Sequence, residues 1–136
     1  MNWLIDTNVL SETRKRKANP QVMAWLADHH AKNHFISVVS LGELRAGAEI
    51  KKINDLPAGL AIERWLDTLK LRYERRFLPV TEEIVETWGR LSPAKPLPEM
   101  DGLIAATALV HGLTVVTRNV RDFERTGVNI FNPWEY

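Results

Sequence analysis

Four carboxylates stand near the ends of β-rich segments or at the start of an apolar helix. They are Asp6, Glu43, Asp101 and Asp122. Hard divalent cations such as Mg²⁺ and Mn²⁺ prefer oxygen ligands of this type and keep several bound waters. An ion held in this way activates water and offsets charge on a phosphodiester undergoing in-line displacement. If the four acids meet in space, the chemistry indicated is metal-assisted phosphodiester hydrolysis.

Other kinds of catalytic and metal site find no support in the sequence. The chain contains no cysteine, which excludes disulfides, thiolate metal sites and a cysteine nucleophile. Its four histidines are interpreted as structural, because His29, His30 and His111 lie at predicted helix ends and His34 begins a predicted strand. No Ser–His–acid pattern is evident either, so the acids have no rival as the reactive groups.

Two of the acids are predicted to face apolar surroundings. The helix predicted at 40–52 carries a charged stripe formed by Arg45, Glu49 and Lys52. At about 100° per residue, Glu43 falls nearly opposite, beside Ala46 and Ile50, and we expect it to face the interior. Asp101 is followed by an almost wholly apolar segment. Carboxylates placed in this way need donors or a cation nearby, which favours a bound metal ion.

Each acid also has a structural interpretation, in which it stabilises the start of a helix. Asp6 can cap the helix that follows it, because Asp side chains accept bonds from first-turn N–H groups. Two pairs match or resemble the capping-box spacing, namely Ser40 with Glu43 and Asn119 with Asp122. An acid near a helix N-terminus, such as Asp101, gains about 0.3–1 kcal/mol from the helix dipole.

Strands and helices are predicted to alternate along the chain. The predicted strands are at 2–6, 34–39, 77–80, 113–117 and 128–131, and the predicted helices at 7–14, 19–30, 40–52, 59–76, 81–92 and 98–112. A proline-rich loop is predicted at 92–100. This alternation indicates an α/β fold with a mostly parallel central sheet. Ligands bind beyond the carboxyl ends of strands in such sheets, so the four acids can converge there.

Length and hydropathy set the expected organisation. A chain of 136 residues is expected to form one domain, 1–136, because that length buries roughly 68–70% of the unfolded surface. The chain begins without a secretory signal, and no apolar run reaches the roughly 18 residues of a membrane span. We therefore expect a cytoplasmic protein with no membrane segment.

Basic residues are clustered although the net charge is only +1. One run comprises Arg14, Lys15, Arg16 and Lys17. Further groups lie at 70–76 and 118–125. Such runs are often solvated faces, but together they suit a polyanionic partner. Acids with basic flanks indicate a metal-dependent nuclease, and we predict that the run at 14–17 contacts RNA.

Four motifs resemble those of a known family. "LIDTNVLSE", "SVVSLGELRAG", "DGLIAATA" and "TRNVRDFE" resemble, in that order, the motifs of PIN-domain ribonucleases. The resemblance is to the toxin branch of type II toxin–antitoxin systems, the VapC-like and FitB-like proteins. The ending "NIFNPW" also resembles that branch, so the similarity extends over roughly 2–134.

The resemblance implies a three-layer α/β/α sandwich with a parallel sheet and an acidic pocket that binds Mg²⁺ or Mn²⁺. It implies an endoribonuclease toxin that forms homodimers and is blocked by the C-terminal segment of a small antitoxin. It also carries the family's acids onto the four positions Asp6, Glu43, Asp101 and Asp122, and its polar supporting positions onto Thr117 and Asn119.

The expected roles of these residues differ. Asp6 and Asp101 are expected to bind the metal directly. Thr7 and Asn8 are expected to fix the turn that aims Asp6. The other two acids, Glu43 and Asp122, are expected to act through metal-bound water or a second ion.

Two alternatives belong to other functional classes. A response-regulator receiver needs an acidic pair after its first strand and a phosphoacceptor Asp after its third. Here Asp6 stands alone, and only the helical Glu82 and Glu83 follow the strand predicted at 77–80. The other alternative is a non-catalytic partner-binding module whose acids are helix caps and whose basic runs form a docking face.

Overall fold

A computed structural model describes residues 1–91, 93 and 97–136 of the protein. Its five strands form one all-parallel sheet in the order β3-β2-β1-β4-β5. They are β1 (Trp3–Ile5), β2 (His34–Ser37), β3 (Phe77–Leu78), β4 (Thr114–Val116) and β5 (Ile130–Phe131). The prediction of an α/β fold with a parallel sheet is confirmed.

Seven α-helices lie within the described residues. They are α1 (Thr7–Arg14), α2 (Pro20–Asp28), α3 (Val38–Asn54), α4 (Leu56–Arg72), α5 (Glu82–Arg90), α6 (Glu99–His111) and α7 (Val120–Glu124). No helix in this part of the chain is both long and apolar enough to cross a membrane.

The central strand β1 divides two apolar cores. Ile5 packs with α1, α2, α3 and α4 on one face of the sheet, whereas Leu4 packs with α6 and α7 on the other. Successive side chains of a strand point to opposite faces, so two adjacent residues of β1 pack into different cores. Val115 and Val116 in β4 divide in the same way. The result is the expected α/β/α arrangement of three layers.

A crevice is created where the chain changes sides of the sheet. The helices between β1, β2 and β3 cover one face, and α6, which precedes β4, covers the other. Such a topological switch leaves an opening beyond the carboxyl ends of the two neighbouring strands, here β1 and β4. Residues that follow Ile5 and Val116 are therefore placed side by side.

Helix boundaries differ from the predictions where caps were not recognised. The α3 helix begins at Val38, not at 40, because the Ser37 hydroxyl oxygen accepts from Val39 N at 3.0 Å. The α4 helix begins at Leu56 because Asp55 Oδ1 accepts from Ala58 N at 3.1 Å. Capping by short polar side chains fixes both starts.

The end of α4 and the predicted proline-rich loop also differ from expectation. The α4 helix ends at Arg72 instead of 76, and Arg75 has a positive φ of 69° that no helix accommodates. In the predicted loop, residues 92 and 94–96 lie outside the described residues, while Glu99 and Met100 belong to α6.

Candidate active site

Asp6 follows β1 and is both a helix cap and part of the site. Its Oδ1 accepts from Thr7 N at 2.8 Å, which caps α1. Its Oδ2 accepts from the Thr117 hydroxyl at 2.7 Å and from Asn8 Nδ2 at 3.3 Å. The residue is only 3% exposed. Oδ1 therefore caps the helix, while Oδ2 accepts hydrogen bonds from polar side chains at the crevice.

Thr117 connects the end of β4 to the start of α1. Besides donating to Asp6, its hydroxyl oxygen accepts from Asn119 N at 2.9 Å and from Asn8 Nδ2 at 3.2 Å. Asn8 Oδ1 accepts in turn from Arg118 N at 3.3 Å. These bonds fix the relative positions of the two segments that follow the neighbouring strands.

Asn119 connects the two acids on the α6 and α7 side. Its Nδ2 donates to Asp122 Oδ2 at 2.9 Å and to Asp101 Oδ2 at 3.4 Å. The Asn119 side chain accepts no first-turn N–H, although the residue occupies the cap position of α7. The capping-box interpretation of this pair is therefore wrong, and its amide serves the carboxylates instead.

Glu43 joins the site through Thr7. The Thr7 hydroxyl donates to Glu43 Oε1 at 2.7 Å and lies 2.9 Å from Ser40 Oγ. Ser40 is fully buried inside α3 and is not its cap, since Ser37 occupies that position. The capping-box interpretation of Ser40 and Glu43 is therefore also wrong.

The side of α3 that carries Glu43 is not the interior side predicted from the helical wheel. The buried residues of α3 are Ser40, Leu44 and Ala48. Ala46 is exposed and Ile50 is 66% exposed, so the face beside Glu43 opens to solvent. Glu43 itself is half-buried at the border between this face and the crevice. Its carboxylate is thus available to a ligand.

Burial and mutual repulsion act on the acids. Burial raises the pKa of Asp6 to about 6, against the bonds from Thr117 and Thr7, which lower it. The pKa of Asp101 is also raised to about 6, first by burial and then by the charges of Asp6, Asp122 and Glu43. Burial and the charges of the other three acids thus disfavour the ionised form of Asp101.

The donor set fits a hard divalent cation. Among the ion pairs within the described residues, none involves Asp6, Glu43 or Asp101, so their repulsion is not offset by such a partner. Within residues 1–91, 93 and 97–136, no group of three or more His, Cys, Asp or Glu side chains is arranged to hold a metal ion by itself. Mg²⁺ does not require such a group, because it binds through one or two carboxylates and keeps its waters.

The residues of the basic run at 14–17 have different surroundings in the structure. Arg14 ends α1 and lines a cleft beside Thr7 and Glu43. Lys15 is paired with Glu12 Oε1 at 2.9 Å, and the remaining two residues of the run are exposed.

The sequence interpretation missed Lys51, which lines the same cleft as Arg14. Its spacing of eight residues from Glu43, two helical turns, is the signal that could have identified it.

Comparisons with known proteins find relatives over almost the whole chain. The PIN domain family model matches residues 3–129. Toxin FitB of Neisseria gonorrhoeae is 32% identical over 96% of this chain and 97% of its own, and VapC ribonuclease Y4jK of Sinorhizobium fredii is 32% identical over 97% of each. The crystal structure of FitAcB from Neisseria gonorrhoeae superposes with a TM-score of 0.88 and 32% identity, covering 98% of this chain and 99% of the other.

Proposed function

Because the chain belongs to the PIN domain family, we propose that it is a metal-dependent endoribonuclease and the toxin of a toxin–antitoxin pair. The observation that carries this proposal is the convergence of four acids around one hydrogen-bonded network at the β1–β4 crevice. Full-length relatives named as ribonucleases and as a toxin support the same activity.

The side chains have different proposed roles in phosphodiester hydrolysis. Asp6 and Asp101 are the proposed metal ligands, and a bound Mg²⁺ or Mn²⁺ supplies water activation and charge neutralisation at the phosphate. Thr117 and Thr7 N–H hold the Asp6 carboxylate in a single orientation. Glu43, itself oriented by Thr7, and Asp122 orient the attacking water.

The non-catalytic alternative is weakened by how the acids are used. It required the acids to be helix caps, yet only Asp6 accepts a capping N–H from its helix. Glu43 and Asp122 instead accept from the Thr7 hydroxyl and the Asn119 side-chain amide. A binding module has no evident need for these bonds.

The partners follow from the same proposal. Solved relatives include FitAB bound to a DNA fragment and VapBC from Salmonella typhimurium bound to DNA, which are toxin–antitoxin assemblies. We propose a cognate antitoxin, a homodimeric toxin in the cytoplasm, and RNA contact by the run Arg14, Lys15, Arg16 and Lys17. Within that run Lys15 contributes least, because Glu12 already offsets its charge.

A cleavage assay tests the proposal directly. The parent protein is expected to cleave single-stranded RNA with Mg²⁺ or Mn²⁺ and to lose this activity in EDTA. Asp101→Asn should abolish cleavage, whereas Glu99→Gln, an exposed acid in the same first turn of α6, should retain it. Full activity in excess EDTA, or equal loss in both variants, would contradict the proposal.

A further inference from the structure

A cleft of about 430 Å³ leads away from the acids along the surface. One wall is the α1 stripe Thr7, Ser11 and Arg14, and the other is the α3 stripe Glu43, Gly47 and Lys51. Both stripes follow the three- and four-residue spacing that places side chains on one helix face. Leu44 of α3 and Ala58 and Ile62 of α4 complete the lining. The cleft is therefore a trough between three helices.

The trough has an acidic end and a basic end. At one end the Thr7 hydroxyl donates to Glu43, which joins the two walls beside the acids. At the other end lie Arg14 and Lys51, roughly 10–12 Å along their helices at 1.5 Å per residue. A strand of RNA whose scissile phosphate sits at the acids would reach these cations within a few nucleotides.

The two cations differ from their neighbours in having no ion-pair partner within the described residues. Lys52, next to Lys51, pairs with Glu49 and Glu63, and Arg45 of the same helix pairs with Glu63 at 3.3 Å. Lys15, next to Arg14, pairs with Glu12. Both cations that face the trough are thus available to an anion.

Gly47 leaves the middle of the α3 wall without a side chain. It lies inside the 17-residue helix α3, where glycine is less favourable than alanine, and it is exposed. A Cβ added there meets nothing within 4 Å, so packing inside the protein does not require a glycine. Any side chain at this position would instead project into the trough between the two walls.

We propose that this trough binds the RNA strand beside the scissile bond, with Arg14 and Lys51 each contacting a phosphate. The inference rests on the proposed nuclease function and adds a defined substrate subsite to it. Sequence-independent affinity for nucleic acid comes mainly from such phosphate contacts. The subsite would hold the strand in register so that one phosphodiester lies at the acids.

The salt dependence of binding tests the charge contacts. The Asp101→Asn protein in Mg²⁺ is titrated with fluorescein-labelled single-stranded RNA of mixed sequence, by anisotropy at several KCl concentrations. Adding Arg14→Gln or Lys51→Gln should lower the slope of log K against log[salt] by about 0.7 each, and both together by about 1.4. Lys52→Gln and Arg64→Gln, matched cations outside the trough, should leave the slope within error.

A variant that fills the trough tests its shape without altering charge. Gly47→Leu should weaken RNA binding by about tenfold, a loss of roughly 1.4 kcal/mol, without lowering the melting temperature. Gly89→Leu is the control, since Gly89 is also exposed with open space at its Cβ, in α5. Normal RNA affinity in Gly47→Leu would contradict the subsite.

Failure of the subsite can be separated from failure of the nuclease proposal. Unchanged salt slopes in Arg14→Gln and Lys51→Gln, or equal losses in the Lys52 and Arg64 controls, overturn the subsite even if the parent cleaves RNA. If such variants keep RNA affinity but lose binding of a protein partner, the trough is a protein-docking surface and the inference is wrong. Absence of metal-dependent cleavage by the parent overturns the nuclease proposal itself.

Discussion

The Thr117 hydroxyl donates to Asp6 Oδ2 across 2.7 Å, joining residues 111 positions apart in the chain. The two residues directly follow β4 and β1, which are paired in the sheet with Ile5 opposite Val116. The bond stabilises the ionised form of Asp6, whose pKa burial otherwise raises. Strand pairing therefore sets both the position and the protonation of the proposed metal ligand.

Removal of this hydroxyl should shift the pH dependence of cleavage. Thr117→Val keeps the side-chain shape but loses the bond that lowers the Asp6 pKa, so that pKa should rise above about 6. The acidic limb of the pH–rate profile should move to higher pH, and Thr117→Ser should restore it. An unmoved limb in Thr117→Val would show that the bond does not control Asp6.

Stability without metal should fall as the pH rises. Asp6 and Asp101 have pKa values of about 6 in the folded state and near 3.8 in the unfolded chain. Between these values the folded state binds more protons, so the free energy of unfolding decreases from about pH 4 to above pH 6, by about 3 kcal/mol for Asp6 and by less for the half-buried Asp101. Urea unfolding in EDTA measures this change, and a flat profile contradicts the coupling.

Asp101→Asn should stabilise the metal-free protein while abolishing cleavage. The substitution is nearly isosteric and removes a charge that Asp6, Asp122 and Glu43 repel, so the gain should be about 1 kcal/mol in EDTA. Added Mg²⁺ should raise the melting temperature of the parent more than that of the variant, by mass action on the folded state. If Asp101 only serves the helix dipole, the variant is slightly less stable, Mg²⁺ has no effect and cleavage survives.

The sequence predicted the parallel sheet and the placement of the acids because both follow from local patterns. Each acid comes shortly after a β-rich segment or begins an apolar helix, and parallel strands bring such positions to one edge. The arrangement of Asn8, Thr117 and Asn119 around Asp6 could not be derived in the same way. Those bonds depend on which strands are neighbours in the sheet, and the spacing of residues along the sequence does not give the strand order.

The orientation of α3 was predicted wrongly for a physical reason. The charged stripe predicts the solvent face, but Arg45 and Lys52 pair with Glu63 of α4 and so face another helix. Pairing between helices allows cations to occupy a half-buried position. The face left open carries small residues, among them Gly47, and it borders the trough.

The division of the site between the two ends of the chain has a consequence for synthesis. Ribosomes make Asp6 and Glu43 early, whereas Thr117, Asn119 and Asp122 arrive only after most of the chain has emerged, and domains fold as units. A nascent chain that stops short of β4 has no hydroxyl to hold Asp6 and no amide to bridge the remaining acids. We therefore expect a nascent chain to lack the assembled acidic site until residues through Asp122 have emerged.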